Sequence, residues 1–167
     1  MNEIIIRENK MKVILLIILA IIMLVGCVFD LVIGIIKINS FYIIIGIIGT
    51  AFFGVCFFYI IKRALSHKPL LIVGEDGITD MSNATSVGFV AWEEIEFVSV
   101  RRVLTQKFIG ITVYDIDKLM KRIPTSKQNA IKANIKFKYP PISIPLNTAD
   151  MKFNKVLSLI QDRLQKR

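Results

Sequence analysis

The residues of this chain that could do chemistry are few and far apart. His67 is the only histidine, so a histidine-based triad or a multi-histidine metal site is excluded by count. Glu93, Glu94 and Glu96 crowd three carboxylates into one short stretch, a pattern that serves an acidic site or, more often, a solvated turn beside a strand. Asp30 stands alone in an apolar run, where an ionisable group is a functional candidate unless a polar neighbour satisfies it. Cys27 and Cys56 read as small packing residues at different depths of a helical pair, too far apart for a disulfide. Glycines in the C-terminal part are scattered and build no phosphate cradle. No catalytic set, metal or cofactor is expected. Asn83-Ala84-Thr85 has the spacing of a glycosylation sequon and is read as an ordinary polar loop.

Charge is the less evenly spread resource. The chain has 167 residues, a formal net charge of +9 and a mean hydropathy of +0.59. Residues 68–100 carry one base and six acids, whereas residues 101–138 carry ten bases and two acids. The ten are Arg101, Arg102, Lys107, Lys118, Lys121, Arg122, Lys127, Lys132, Lys136 and Lys138. They are the candidate surface for anionic lipid headgroups or for an acidic protein partner. Nucleic acid has the same sign of attraction, but no recognition motif or basic-aromatic repeat accompanies the charge, so it is not expected as a partner.

Two long apolar runs must position everything else. Residues 13–36 hold one charge and residues 41–61 none. Each meets the roughly 20 residues that a helix rising about 1.5 Å per residue needs to cross a hydrocarbon core. The sequence thus predicts a transmembrane hairpin over 13–61, after a short N-terminal segment (1–12) and before a linker (62–68). Arg7, Lys10 and Lys12 precede it and Lys62, Arg63 and Lys68 follow, with only Lys37 in the turn, so both ends are expected in the cytoplasm. Leu24-Val25-Gly26-Cys27 resembles a lipoprotein signal, but the apolar run continues past Cys27 and favours a spanning helix. Gly26, Asp30 and Gly34 share one helical face, as do Gly46, Thr50 and Gly54. A fold-back near Ser40 would pair Gly34 with Gly46, Asp30 with Thr50 and Gly26 with Gly54, letting Thr50 donate to Asp30.

From residue 69 the pattern becomes short apolar strands separated by turns. Strands are expected at 70–73, 78–81, 87–92, 96–103 and 108–114, the first two joined by a tight Asp76-Gly77 turn of type I′. Asp115 should cap a short helix carrying Ile116, Leu119, Met120 and Ile123, and a further helical turn or two is expected at 126–133. Alternation at Ile135, Phe137 and Tyr139, and again at Ile142, Ile144 and Leu146, predicts two more strands. A last helix, capped near Asn147 or Thr148, would lay Phe153, Val156, Leu157, Ile160 and Leu164 against the sheet, with Trp92 in the core beneath.

This order resembles the pleckstrin-homology-like (PH-like) superfold. Lys68-Pro69, Gly77-Ile78-Thr79-Asp80 and Val90-Ala91-Trp92-Glu93-Glu94-Ile95 are similar to motifs of its bacterial membrane-anchored branch, largely uncharacterised, whose members often begin with two membrane helices. The resemblance implies an α+β domain, an antiparallel sheet or barrel with a C-terminal helix, over 69–167. Lipid-binding relatives hold a basic cluster at the first hairpin loop, whereas Gly74-Glu75-Asp76-Gly77 is acidic, so lipid contact is expected to be diffuse. The expected function is a non-enzymatic binding module at the inner face of a bacterial membrane, with a protein partner. The alternative is an immunity protein against a membrane-acting toxin. Oligomeric state stays open, a homo-oligomer included.

Overall fold

The computed structural model describes residues 3–66 and 68–166, so His67 lies outside the described residues. Two compact units emerge. One is the helical hairpin, and the other joins the described residues up to Glu8 with those from Lys68 onward.

In the hairpin, α1 (Lys10–Ile36) starts at Asn9, whose side chain accepts from the N–H groups of Met11 and Lys12 at 3.0 and 3.3 Å. Helix α2 (Ser40–Leu65) starts at Asn39, which accepts from Phe41 N–H at 3.1 Å. Lys62 and Arg63 form the last turn of α2 rather than a linker, where cations meet the negative end of the helix dipole. Both helices are long and apolar enough to cross a membrane. Ala20 and Gly34 in α1 and Gly46 in α2 are their only buried members, so the apolar side chains face outward on nearly all sides.

The reversal is tighter than the sequence suggested. Ile38 takes a left-handed backbone (φ 51°), Asn39 N–H donates to Gly34 O at 2.9 Å and Ile38 N–H to Ile35 O at 3.3 Å, closing α1 as a Schellman motif. The chain therefore turns about Ile38, not Ser40, and the helix register moves by almost one turn. A Cβ built on Gly34 would strike Ile43, one on Gly46 would strike Leu31, and one on Gly49 would strike Cys27, while Gly26 and Gly54 face open space. Thr50 Oγ1 is buried without a hydrogen-bond partner, so the Thr50–Asp30 bond is not made.

The second unit contains an unforeseen strand. Ile4–Ile6, read above as part of a short N-terminal segment, forms β1 and pairs antiparallel with β2 (Leu71–Val73), Ile6 opposite Leu71. Strands β3 (Gly77–Asp80) and β4 (Gly88–Ala91) complete a sheet in the order β1-β2-β3-β4. A 3-10 turn at Trp92–Glu94 leads to β5 (Ile95–Val103), β6 (Gln106–Val113) and β7 (Ile142–Pro145), a second antiparallel sheet. The apolar hairpin is thus inserted between the first two strands of a seven-strand domain. Just after β1, Asp150 N–H donates to Arg7 O at 2.9 Å and the Asp150 carboxylate accepts from Arg7 N–H at 3.1 Å.

Alternation decides which faces are covered. Ile109, Ile111, Ile142 and Ile144 point inward and are buried, together with Ile6, Leu71, Val73, Ile78 and Val90 of the first sheet. Helix α5 (Phe153–Gln165) buries Val156 and Ile160 in the same core, starting at Lys152 rather than at Asn147 or Thr148. Trp92 is buried there too, its indole N–H donating to Gly74 O at 3.3 Å. The β2–β3 hairpin forms, but neither Asp76 nor Gly77 has positive φ, so the turn is not type I′.

Between β6 and β7 lie α3 (Ile116–Lys121), capped by Asp115 as expected, and α4 (Thr125–Lys136). Helix α4 runs three residues past the expected end at 133 and absorbs Ile135, so no strand forms at Ile135, Phe137 and Tyr139. All three are exposed. The segment lies over the outer face of the second sheet: Pro140 fits where any side chain on Gly110 would collide with it.

Candidate functional site

The ten bases do not form one surface. Arg101 and Arg102 are neighbours in β5, and successive strand residues project to opposite faces. Arg102 pairs across the ladder with Lys107, whose ammonium lies 5.8 Å from the centre of the Phe153 ring on α5. Arg101 pairs with Phe108, on the face that α4 overlies.

Three further bases hold the domain together. Both oxygens of Glu94 are bound by Arg122, Nη1 to Oε1 at 2.9 Å and Nη2 to Oε2 at 2.6 Å, and Lys118 Nζ lies 3.4 Å from Oε1. The arginine fork holds the Glu94 carboxyl below the ordinary glutamate range, against a smaller upward push from burial. Of the acidic cluster, Glu94 therefore clamps α3 to the turn before β5. Lys127 reaches from α4 to the carbonyl of Ser86 at 2.5 Å. Lys121, Lys132, Lys136 and Lys138 are exposed on α3, on α4 and just beyond it.

A buried polar network sits where β3 ends. Asp80 is 1% exposed; its Oδ1 accepts from Ser82 N–H at 2.9 Å, and Oδ2 is buried with no hydrogen-bond partner. Burial pushes the Asp80 carboxyl up, opposed by Ser82, Ser86 and the charge of Lys127. Asn83 accepts from Thr85 through its side-chain oxygen and donates to Ser143 O at 3.4 Å, so the sequon-like triplet is a structural loop. Beside it lies a cavity of about 210 Å³ whose lining includes Asp80, Asn83, Asn134 and Ser143. A wider groove of about 510 Å³ is lined by Phe89, Trp92, Glu75, Asp76, Arg163 and Lys166. Among the described residues, no group of three His, Cys, Asp or Glu side chains could hold a metal ion.

Strand register gives the domain two unlike ends. Ile6, Leu71, Asp80 and Gly88 share the end from which the chain leaves for α1 and to which it returns after α2. Glu75 and Asp76 join the strands at the other end. Loop 81–87 is at the hairpin end, and its links to Lys127 and Ser143 bring α4 and the start of β7 there.

Sequence reasoning missed two features of this region. Asp80 entered only as part of a short motif, and the exposed trio Ile135, Phe137 and Tyr139 was assigned to a strand. The signal that could have found the trio is its interleaving with Lys136 and Lys138, one helical turn after Lys132. Comparison of the chain with family models, with curated proteins and with solved structures gives no match.

Proposed function

We propose that the protein is a membrane-anchored, PH-like binding module at the inner face of a bacterial membrane, recognising a protein partner with diffuse electrostatic help from lipid. The observation that carries this reading is the pairing of β1 with β2 across the apolar hairpin. It holds the residues before α1 and those after α2 in one sheet, so a spanning hairpin has both ends on the same side of the bilayer. Four strands, then three, then a C-terminal helix support the PH-like part of the reading. The basic flanks Lys10, Lys12, Lys62 and Arg63 support cytoplasmic placement. Each exposed Lys or Arg near an anionic leaflet contributes roughly 1 kcal/mol within about a Debye length.

The protein-facing surface is the groove between Phe89, which is 50% exposed, and Glu75, Asp76 and Trp92, which lie toward the end of the sheet away from the hairpin connections. An aromatic ring among charges of both signs suits a protein contact better than a lipid one. Photo-cross-linking from position 89 of the full-length protein in its native membrane tests this. A discrete protein adduct, absent when the cross-linker is at exposed Asn129, is expected. Adducts with lipid alone, or the same adducts from both positions, would contradict the reading.

A further inference from the structure

We propose that the corner after α4, residues 132–139, is an interfacial lipid contact that inserts Ile135, Phe137 and Tyr139 among anionic headgroups; the inference rests on the membrane-anchored reading above. The first observation is exposure. Ile135 is 46%, Phe137 68% and Tyr139 41% exposed, three bulky apolar side chains within five residues. Three bulky apolar side chains left in water at alternating positions are unfavourable unless something covers them.

The second observation is what surrounds them. Lys136 and Lys138 alternate with the trio, Lys132 lies one helical turn before it, all three are exposed, and no acid lies between Asp117 and Asp150. Aromatic rings with long basic side chains suit the headgroup layer, where the rings sit at the apolar boundary and the ammonium groups reach phosphate. An acidic protein would satisfy the charges but would not by itself call for the apolar trio. A neutral apolar partner would leave the charges stranded.

Location is the third. Asn134 donates to Pro141 O at 3.1 Å and Asn83 to Ser143 O, which ties the corner to loop 81–87 at the sheet end where the chain departs for α1. The corner is also fixed in shape. Lys138 adopts a left-handed conformation (φ 59°), and the N–H groups of Lys138 and Tyr139 donate to Ile135 O at 2.9 Å and Asn134 O at 2.8 Å. A fixed corner loses little conformational freedom on binding.

The test uses full-length protein in vesicles, with Cys27 and Cys56 replaced by Ala and an environment-sensitive dye on Phe137→Cys or, as reference within the hairpin, Ile44→Cys. In vesicles of equal parts phosphatidylcholine and phosphatidylglycerol, the dye at 137 should shift to the blue and be quenched by spin-labelled lipid. In phosphatidylcholine alone both effects should be lost. Lys132→Gln, Lys136→Gln and Lys138→Gln together should weaken the contact on the order of a hundredfold. Quenching at 44 without quenching at 137 overturns the corner contact and leaves the anchor standing, as does shielding of 137 from aqueous iodide without lipid quenching, which would mean protein covers it. Quenching at neither position overturns the anchored reading and this inference with it. Equal quenching in both vesicle types overturns the role of anionic lipid.

Discussion

Ile6 and Leu71 face each other in an antiparallel pair, although the whole of α1 and α2 separates them in the chain. The relationship makes the first strand of the domain depend on a segment that lies before the hairpin. Ile6 is fully buried and its neighbour Ile5 is 43% exposed, so the two residues contribute very differently.

Ile6→Ala should therefore cost about 2 to 5 kcal/mol through lost burial and the cavity left behind. Ile5→Ala should stay within about 0.5 kcal/mol. Urea unfolding of the full-length protein in detergent, followed by the fluorescence of Trp92, its sole tryptophan, measures both. Equal, small effects would mean that β1 is not part of the folded sheet.

The hairpin register predicts which cysteines meet. Gly49→Cys should form a disulfide with native Cys27 under mild oxidation, because the Gly49 backbone packs against that sulfur. Cysteines at positions 26 and 54, with Cys27 and Cys56 replaced, should not cross-link. The opposite pattern would restore the looser turn at Ser40.

Two carboxylates should give opposite pH signatures. Glu94, held below its ordinary range by Arg122, contributes stability that is present above the unfolded glutamate pKa and is lost as pH falls through the lowered folded value. Arg122→Gln should remove about 1 kcal/mol at neutral pH and progressively less in acid. Asp80 is shifted upward by burial, so the folded state binds its proton more tightly and stability declines as pH rises from the unfolded value through the raised one. Asp80→Asn should flatten that decline and match or exceed the parent at neutral pH. Chemical denaturation across the acid to neutral range reads both signs; a destabilised, pH-insensitive Asp80→Asn would show that the charge itself is needed.

How far these features could be read from sequence follows from their range. Strands β2 to β6 and helix α3 carry local alternation, periodicity or a capping residue and were legible. Strand β1 has only Ile4, Ile5 and Ile6, and its partner lies beyond the hairpin, so no local signal marks it. Ile135, Phe137 and Tyr139 alternate like a strand, but Ile135 belongs to α4 and Phe137 caps it, so the alternation marks exposure rather than pairing. The turn at Ile38 was missed because an isoleucine with positive φ breaks the usual preference for glycine, whereas Asn39 as a cap was readable and would have moved the register correctly. Charge counting located the basic segment. It could not show that Arg122 and Lys118 are taken by Glu94, since that pairing depends on how α3 folds back.

The central claim is that a spanning hairpin, inserted between β1 and β2, holds the sheet domain on one side of the membrane and the turn at Ile38 on the other. Labelling of intact cells with a membrane-impermeant maleimide tests it most directly, using Asn39→Cys and Lys132→Cys in full-length protein with Cys27 and Cys56 replaced. The account predicts that position 39 is labelled from outside and that position 132 is labelled only after the cells are opened. Labelling of position 132 in intact cells, or of both positions alike, would contradict it.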